Sequence, residues 1–334
     1  MKRRGVVVWI IIYGLPVPMI IYSLMIGSSK ELGIIEFWNW LAYRLGGMGS
    51  DSVILHDNII TNIRLPRVLL TYLVGAGLAS CGGALQAMFR NPLVDPYLLG
   101  ISSGSAFGAS LAILFPLLPI NLSAFIFGAL AVILTFFIGV TKNKSSLVPI
   151  ILSGMIVSGL FTAGITLVQY LSDPYKLQAI IQWTMGNLHL ASWDKFYRAI
   201  VPIAAGLIGI YVLRWKLNLL ALGDEEAKAV GVNPLKVKVL LVSLTTLVTA
   251  ASVAGAGIIS LYGLFVPHIT RMLMGADNIK TTSANIFFGG TFLLIIDNFS
   301  RTIMPYEVPI GVFTMILGAP FFIFLIKRKK INWL

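Results

Sequence analysis

Between Arg67 and Arg90 the chain carries no charged side chain. Its first 18 residues, Val68–Leu85, read VLLTYLVGAGLASCGGAL. Such a run fits a bilayer far better than a water-facing fold, because a spanning helix needs about 20 apolar residues. Similar runs recur to the end of the sequence. Only 11% of the 334 residues are charged and 57% are hydrophobic, against roughly a quarter charged in soluble domains. Backbone amides in hydrocarbon must pair within the segment or close into a barrel. Barrel strands alternate polar and apolar residues, which these runs do not. The sequence therefore predicts an all-α membrane protein.

The run from Arg64 to Gly108 organises the rest. Gly75, Ala79 and Gly83 stand four apart, and so do Gly100, Gly104 and Gly108. That spacing predicts narrow helix faces where neighbouring backbones pack closely. Gln86, Arg90 and Asn91-Pro92 form the polar turn between them.

Ten spans are expected, near residues 5–26, 60–85, 93–113, 120–140, 147–170, 196–214, 236–255, 258–274, 283–299 and 308–326. The first is read as an uncleaved helix rather than a signal peptide, since no small-residue cleavage site follows it cleanly. Residues 34–45 (IIEFWNWLAYRL) are amphipathic and aromatic, as at the outer interface. An even count puts both termini on one side. With that side cytoplasmic, the 25 Lys and Arg fall inside about twice as often as outside. The net charge of +12 thus reports orientation, and no nucleic acid is implied.

Arg64, Arg67 and Arg301 run against that bias. Snorkelling to headgroups is one reading. Docking of an acidic partner is the other, because guanidinium takes carboxylate bidentately. Asp297 lies four residues before Arg301, close enough on a helix to hold it. On the inner side, residues 215–234 form the longest polar stretch of the second half. Within it, Gly223 followed by Asp224, Glu225 and Glu226 reads as a helix start. Leu219, Leu220, Leu222 and Val230 are apolar and need a covering surface.

Enzyme chemistry finds little support. The histidines His56, His189 and His268 lack metal-ligand spacing, and Cys81 is the single cysteine. No nucleophile–base pair or paired carboxylate appears, and no phosphate-binding loop, since GADNIKT lacks the second glycine before the lysine. No catalytic residue, metal or cofactor is expected. No carboxylate sits at the centre of a span, which argues against an ion-driven secondary transporter, the alternative reading.

These motifs resemble the FecCD family, the permease subunits of iron-chelate, haem and cobalamin ABC importers. The resemblance rests on RLPR at 64–67, Gln86 with Arg90-Asn91-Pro92-Leu93 and Asp95-Pro96, and LLGISSGSAFG at 98–108. It continues through LALGDEEAKAVGV at 220–232, GLFVPHITR at 263–271, DNFSR at 297–301 and EVPIGVFTMILGAPFFIFLI at 307–326. Tyr262 and Leu264-Phe265 depart mildly from the commoner pattern. The resemblance implies a BtuC-like type II importer fold of ten helices in the cytoplasmic membrane. It implies a second copy of the chain, with the pathway between copies lined mainly by the fifth helix, and surrounding lipid. Two separate ATP-binding subunits would dock on Leu220, Leu222, Gly223, Asp224, Glu225, Glu226, Ala227 and Gly231. An extracytoplasmic substrate-binding protein would offer carboxylates to Arg64, Arg67 and Arg301, and Lys142–Ser146 would lie near the inner gate. Ferric siderophore, haem, cobalamin and molybdate all remain open as cargo.

Overall fold

Proline and glycine, more than apolar content, decide where this chain bends. The computed structural model describes residues 2–27, 33–46, 51–139 and 147–327. The described residues form helices and connecting turns, with no strand among them. In order they are α1 (Lys2–Gly14), α2 (Pro16–Met25), α3 (Ile34–Arg44), α4 (Asp51–Asn58) and α5 (Leu65–Phe89). Then come α6 (Ile101–Leu114), α7 (Ile120–Gly139), α8 (Leu147–Leu171), α9 (Pro174–Thr184) and α10 (Trp193–Val212). The series closes with α11 (Arg214–Leu222), α12 (Asp224–Ala229), α13 (Pro234–Ala256), α14 (Tyr262–Met274), α15 (Asn278–Thr302) and α16 (Ile310–Lys327).

Six described helices are long and apolar enough to cross a bilayer, or seven if α1 and α2 count as one span bent by 41°. The bend falls just before Pro16, whose ring cannot continue a regular helix. Each of the ten expected segments contains a helix, but length and composition return six or seven spans among the described residues, not ten. The shortfall has a physical reason. A 14-residue helix such as α6 rises only about 21 Å, short of the roughly 30 Å hydrocarbon core. Part of the expected third span, from residue 93, is instead a loop and a 3-10 turn at Pro96–Leu99. The expected eighth span likewise starts later, at Tyr262. The Lys142–Ser146 turn lies outside the described residues.

Helix α5 is the central post, and 83% of its apolar window is buried. Its glycines explain how so many helices crowd it. A Cβ on Gly75 would sit 2.5 Å from the Gly289 carbonyl oxygen of α15. Ala79 occupies the space that a Cβ on Gly289 would need. Gly83 lies against the Asn285 amide. The tightest approach is at Gly82, outside the four-residue stripe, where a Cβ would overlap the Gly263 carbonyl of α14. Tyr262 donates its hydroxyl to the Gly289 carbonyl, tying α14 to α15 beside α5.

The second stripe works against α7. Gly104 faces the Phe127 carbonyl and Gly108 the Ser123 carbonyl, each 2.5 Å from where a Cβ would lie. Ser123 donates its hydroxyl to the Gly108 carbonyl at 2.6 Å. Gly100 instead turns the chain into α6 with φ of 81°, a left-handed conformation that glycine adopts without penalty.

Candidate functional site

Two polar clusters stand at opposite ends of this bundle. At the end that charge assigns to the outside, α4 runs without a break into α5 through a π-helical turn, Ile59–Arg64. Pro66 accounts for the widening. Within a continuous helix its ring would strike the carbonyl four residues back. The chain relaxes to a longer spacing, and the Leu65 N–H reaches the Ile60 carbonyl. This turn sets the angular positions of Arg64 and Arg67.

All three outer arginines point into the protein. Arg64 is 4% exposed, Arg67 8% and Arg301 3%. Arg64 Nη1 donates to the carbonyls of Leu24 and Met25 at 2.8 and 2.9 Å, pinning the end of α2. Arg67 donates to Asp297 Oδ1 through Nη2 at 2.9 Å and Nε at 3.2 Å. Its Nη1 reaches both oxygens of Glu307, at 3.0 and 2.8 Å. Arg301 Nε lies 3.1 Å from Asp297 Oδ2. Arg301 also donates to the Ile26 carbonyl at 2.9 Å and to Asn298 Oδ1. Asp297 is fully buried and serves two guanidiniums at once.

Arg67 borders a cavity of about 250 Å³ lined also by Gln182, His189, Ser300 and Glu307. Loss of hydration, with Arg67 and Lys195 nearby, holds the His189 pKa below the ordinary histidine value, opposed by Glu307. The sequence spacing paired Asp297 with Arg301 alone. The Arg67–Asp297 contact emerges only in the fold, and so does the role of Glu307. Its only signal was an acidic residue just before Pro309 at the mouth of α16.

At the inner end, α11 and α12 are two short helices hinged at Gly223. Its φ of 156° and ψ of 163° fall where essentially only glycine goes. The expected coupling residues divide by face. Leu220 and Ala227 are fully buried anchors. Leu222 is 68% exposed and Val230 61%, while Glu225 and Glu226 point to solvent. Asp224 pairs with Lys238 of α13 at 2.7 Å, and Glu225 pairs with Lys228 at 2.8 Å. Gly231 turns the chain toward α13 at φ of 80°.

Asn218 fastens α11 to the start of α15. Its amide donates to Asp277 Oδ1 at 2.9 Å and its carbonyl accepts from the Asn278 N–H at 2.7 Å. The Asn218 amide, the Ile279 N–H and Lys280 together hold the Asp277 carboxyl below its ordinary range.

Helix α8 combines an exposed surface with an absence of charge; α10 is as little buried but carries Asp194, Lys195 and Arg198. Only 28% of the α8 apolar window is buried. Leu152, Ile156, Leu160 and Tyr170 are all more than half exposed. No charged residue lies along it. Among the described residues, no three His, Cys, Asp or Glu side chains converge as a metal site.

Helices of spanning length, with a polar cluster at one end and two short helices joined at Gly223 at the other, describe a multi-pass membrane protein. Residues 15–328 match the FecCD transport family, and the chain belongs to it. It is a permease of the ABC importer type, a multi-pass protein of the cytoplasmic membrane. It is 38% identical to the molybdate import system permease MolB of Haemophilus influenzae, over 96% of both chains. It is 39% identical to the hemin transport system permease HmuU of Yersinia pestis, over 93% of this chain and 94% of that one. A solved inward-facing ABC transporter described as of metal-chelate type superposes with a TM-score of 0.83 at 36% identity. That match covers 95% of this chain and 99% of the other.

Proposed function

We propose that this permease moves a metal chelate, meaning a ferric siderophore, haem or cobalamin, inward across the membrane. Two copies would form the route between their α8 faces. The observation that carries this reading is α8 itself, the least buried of the uncharged long helices, whereas the equally exposed α10 carries Asp194, Lys195 and Arg198. A neutral lining lets a bulky chelate pass without being held. Affinity then resides in an extracytoplasmic binding protein, docked at the end where Arg64, Arg67 and Arg301 sit. Two ATP-binding subunits drive the cycle from the Leu220–Gly231 segment.

Molybdate is the second reading, favoured by the relative from Haemophilus influenzae that carries its name. The test is uptake into proteoliposomes holding this permease, its cognate ATP-binding subunit and its cognate binding protein. Radiolabelled ferric siderophore, haemin, cobalamin and molybdate are offered in turn. Accumulation of one chelate that requires internal ATP supports the proposal. Accumulation of molybdate alone replaces the cargo. Uptake without ATP that an uncoupler abolishes overturns the importer mechanism.

A further inference from the structure

Beneath α11 lies a cavity of about 440 Å³. Its walls come from the end of α5, the following turn, α11 and the stretch joining α14 to α15. Two arginines line it, Arg90 and Arg271. Neither has a carboxylate within ion-pair distance among the described residues. Asp277 lines the same cavity, but its oxygens serve Asn218, the Ile279 N–H and Lys280.

Arg271 is held by a neutral group. Its Nη2 donates to Gln86 Oε1 at 3.1 Å. Gln86 is 2% exposed. Its own amide donates to the Leu264 carbonyl at 3.1 Å, which fixes the direction of Oε1. A glutamine that accepts from arginine satisfies one N–H and leaves the charge uncompensated. The remaining guanidinium donors are free to meet a carboxylate in the planar, two-bond fashion that arginine favours. Arg90 stands at the rim in a left-handed conformation, φ 52°. Arginine pays there for a backbone that glycine adopts freely.

We infer that this cavity receives an acidic side chain of the ATP-binding subunit. The inference rests on the importer reading and extends the coupling surface beyond Leu220–Gly231. Charge complementarity selects the occupant's chemistry. Position selects its source, because Ala221 and Leu222 form part of the cavity wall and Leu222 is more exposed than Trp215, the other large apolar side chain that α11 shows to solvent. A subunit that covers Leu222 closes the cavity too. Removing that space from water strengthens the ion pair inside it.

The test measures affinity between the purified permease in nanodiscs and its cognate ATP-binding subunit. Arg271→Gln is expected to weaken binding at least tenfold and to flatten its salt dependence. Arg271→Lys should fall between, since one ammonium cannot replace the fork. Because losing the Arg271–Gln86 contact can disturb folding, a substitution at an exposed residue supplies the second reading. Ala276 lies on the cavity wall and is exposed. Ala276→Glu should weaken binding about tenfold by offering the arginines an internal carboxylate, whereas Ala276→Gln should bind like wild type. In the double variant A276E/R271Q the two losses should not add. Wild-type affinity in both R271Q and A276E overturns the inference while leaving the importer reading intact. A thermal shift of the permease alone by inorganic phosphate, lost in R271Q with subunit binding unchanged, makes this a free-anion site and also overturns it. Failure of wild type to bind the subunit at all strikes at the importer reading instead.

Discussion

Arg67 Nη1 grips both carboxylate oxygens of Glu307, at 3.0 and 2.8 Å, joining the start of α5 to the loop that enters α16. The same guanidinium holds Asp297, which is fully buried, whereas the Glu307 side chain is 26% exposed. If the binding protein offers a carboxylate at this end, as proposed, Glu307 is the ligand it would displace. Glu307→Gln keeps the shape and removes the competing charge. We expect the cognate binding protein to dock about three to ten times more tightly, a gain on the order of 1 kcal/mol. Titration of binding protein onto nanodisc-held permease checks this. Weaker docking in E307Q means Glu307 helps rather than competes.

Asp297 is the harder residue to lose. It faces Arg67 at 2.9 Å and Arg301 at 3.1 Å. Asp297→Asn leaves two buried cations without their shared anion. Breaking a buried pair from one side costs about 3–5 kcal/mol. The expected outcome is a large fall in thermal midpoint in detergent, or loss of expression. Removing charge on both sides, as in D297L/R301M, should cost less than D297N alone, because fewer uncompensated charges remain. A double variant less stable than D297N would show that the network stabilises through its hydrogen bonds more than through charge balance.

Glycines offer a matched pair. At Gly82 a Cβ would overlap the Gly263 carbonyl, and backbone cannot rotate away as a side chain can. At Gly159 on α8, nothing lies within 4 Å. Gly82→Ala should abolish folded protein. Gly159→Ala should fold as wild type, or slightly better, since alanine favours helix by about 1 kcal/mol. Size-exclusion profiles in detergent separate these outcomes. A monodisperse G82A would show that α14 can shift outward without loss of packing.

Much of this was legible in the sequence because hydrocarbon permits so few backbone solutions. Apolar runs fixed the helices, and the Asp297–Arg301 spacing implied contact on one helix face. Long-range pairing was less legible. Glu307 meets Arg67 across 240 residues, and no local pattern carries that. Gly82 fell outside the four-residue stripe because α14 meets α5 on a different face, about 100° around the helix from the one that Gly83 offers to Asn285 of α15. The start of α6 was misplaced for a related reason. Residues 93–100 read as apolar, but Asp95, Pro96 and a left-handed Gly100 break the helix. Asp95 Oδ1 accepts from the Tyr97 N–H at 2.8 Å and caps the 3-10 turn. Arg271 escaped notice because its significance lies in what it lacks, a carboxylate, and only the assembled fold reveals that.

Leu222 and Gly223 should separate binding from coupling. Leu222 presents 68% of its surface to water. Burying a leucine is worth about 1.5–3 kcal/mol, or roughly 10- to 150-fold in affinity. Leu222→Asp should therefore weaken the ATP-binding subunit at least tenfold while leaving the fold unchanged, since the side chain touches little in the chain itself. Gly223 acts otherwise. A β-branched residue there meets a backbone region that costs about 1–3 kcal/mol to occupy, so Gly223→Val should reset the angle between α11 and α12. On the proposed coupling role, Leu222 and Val230 would still meet the subunit, while the joint between α11 and α12 is altered. In proteoliposomes G223V should hydrolyse ATP at a near-normal rate and deliver little cargo, whereas L222D should lose both activities together. If G223V transports with the wild-type ratio of cargo to ATP, the hinge plays no part in coupling and the two short helices serve only as a foothold.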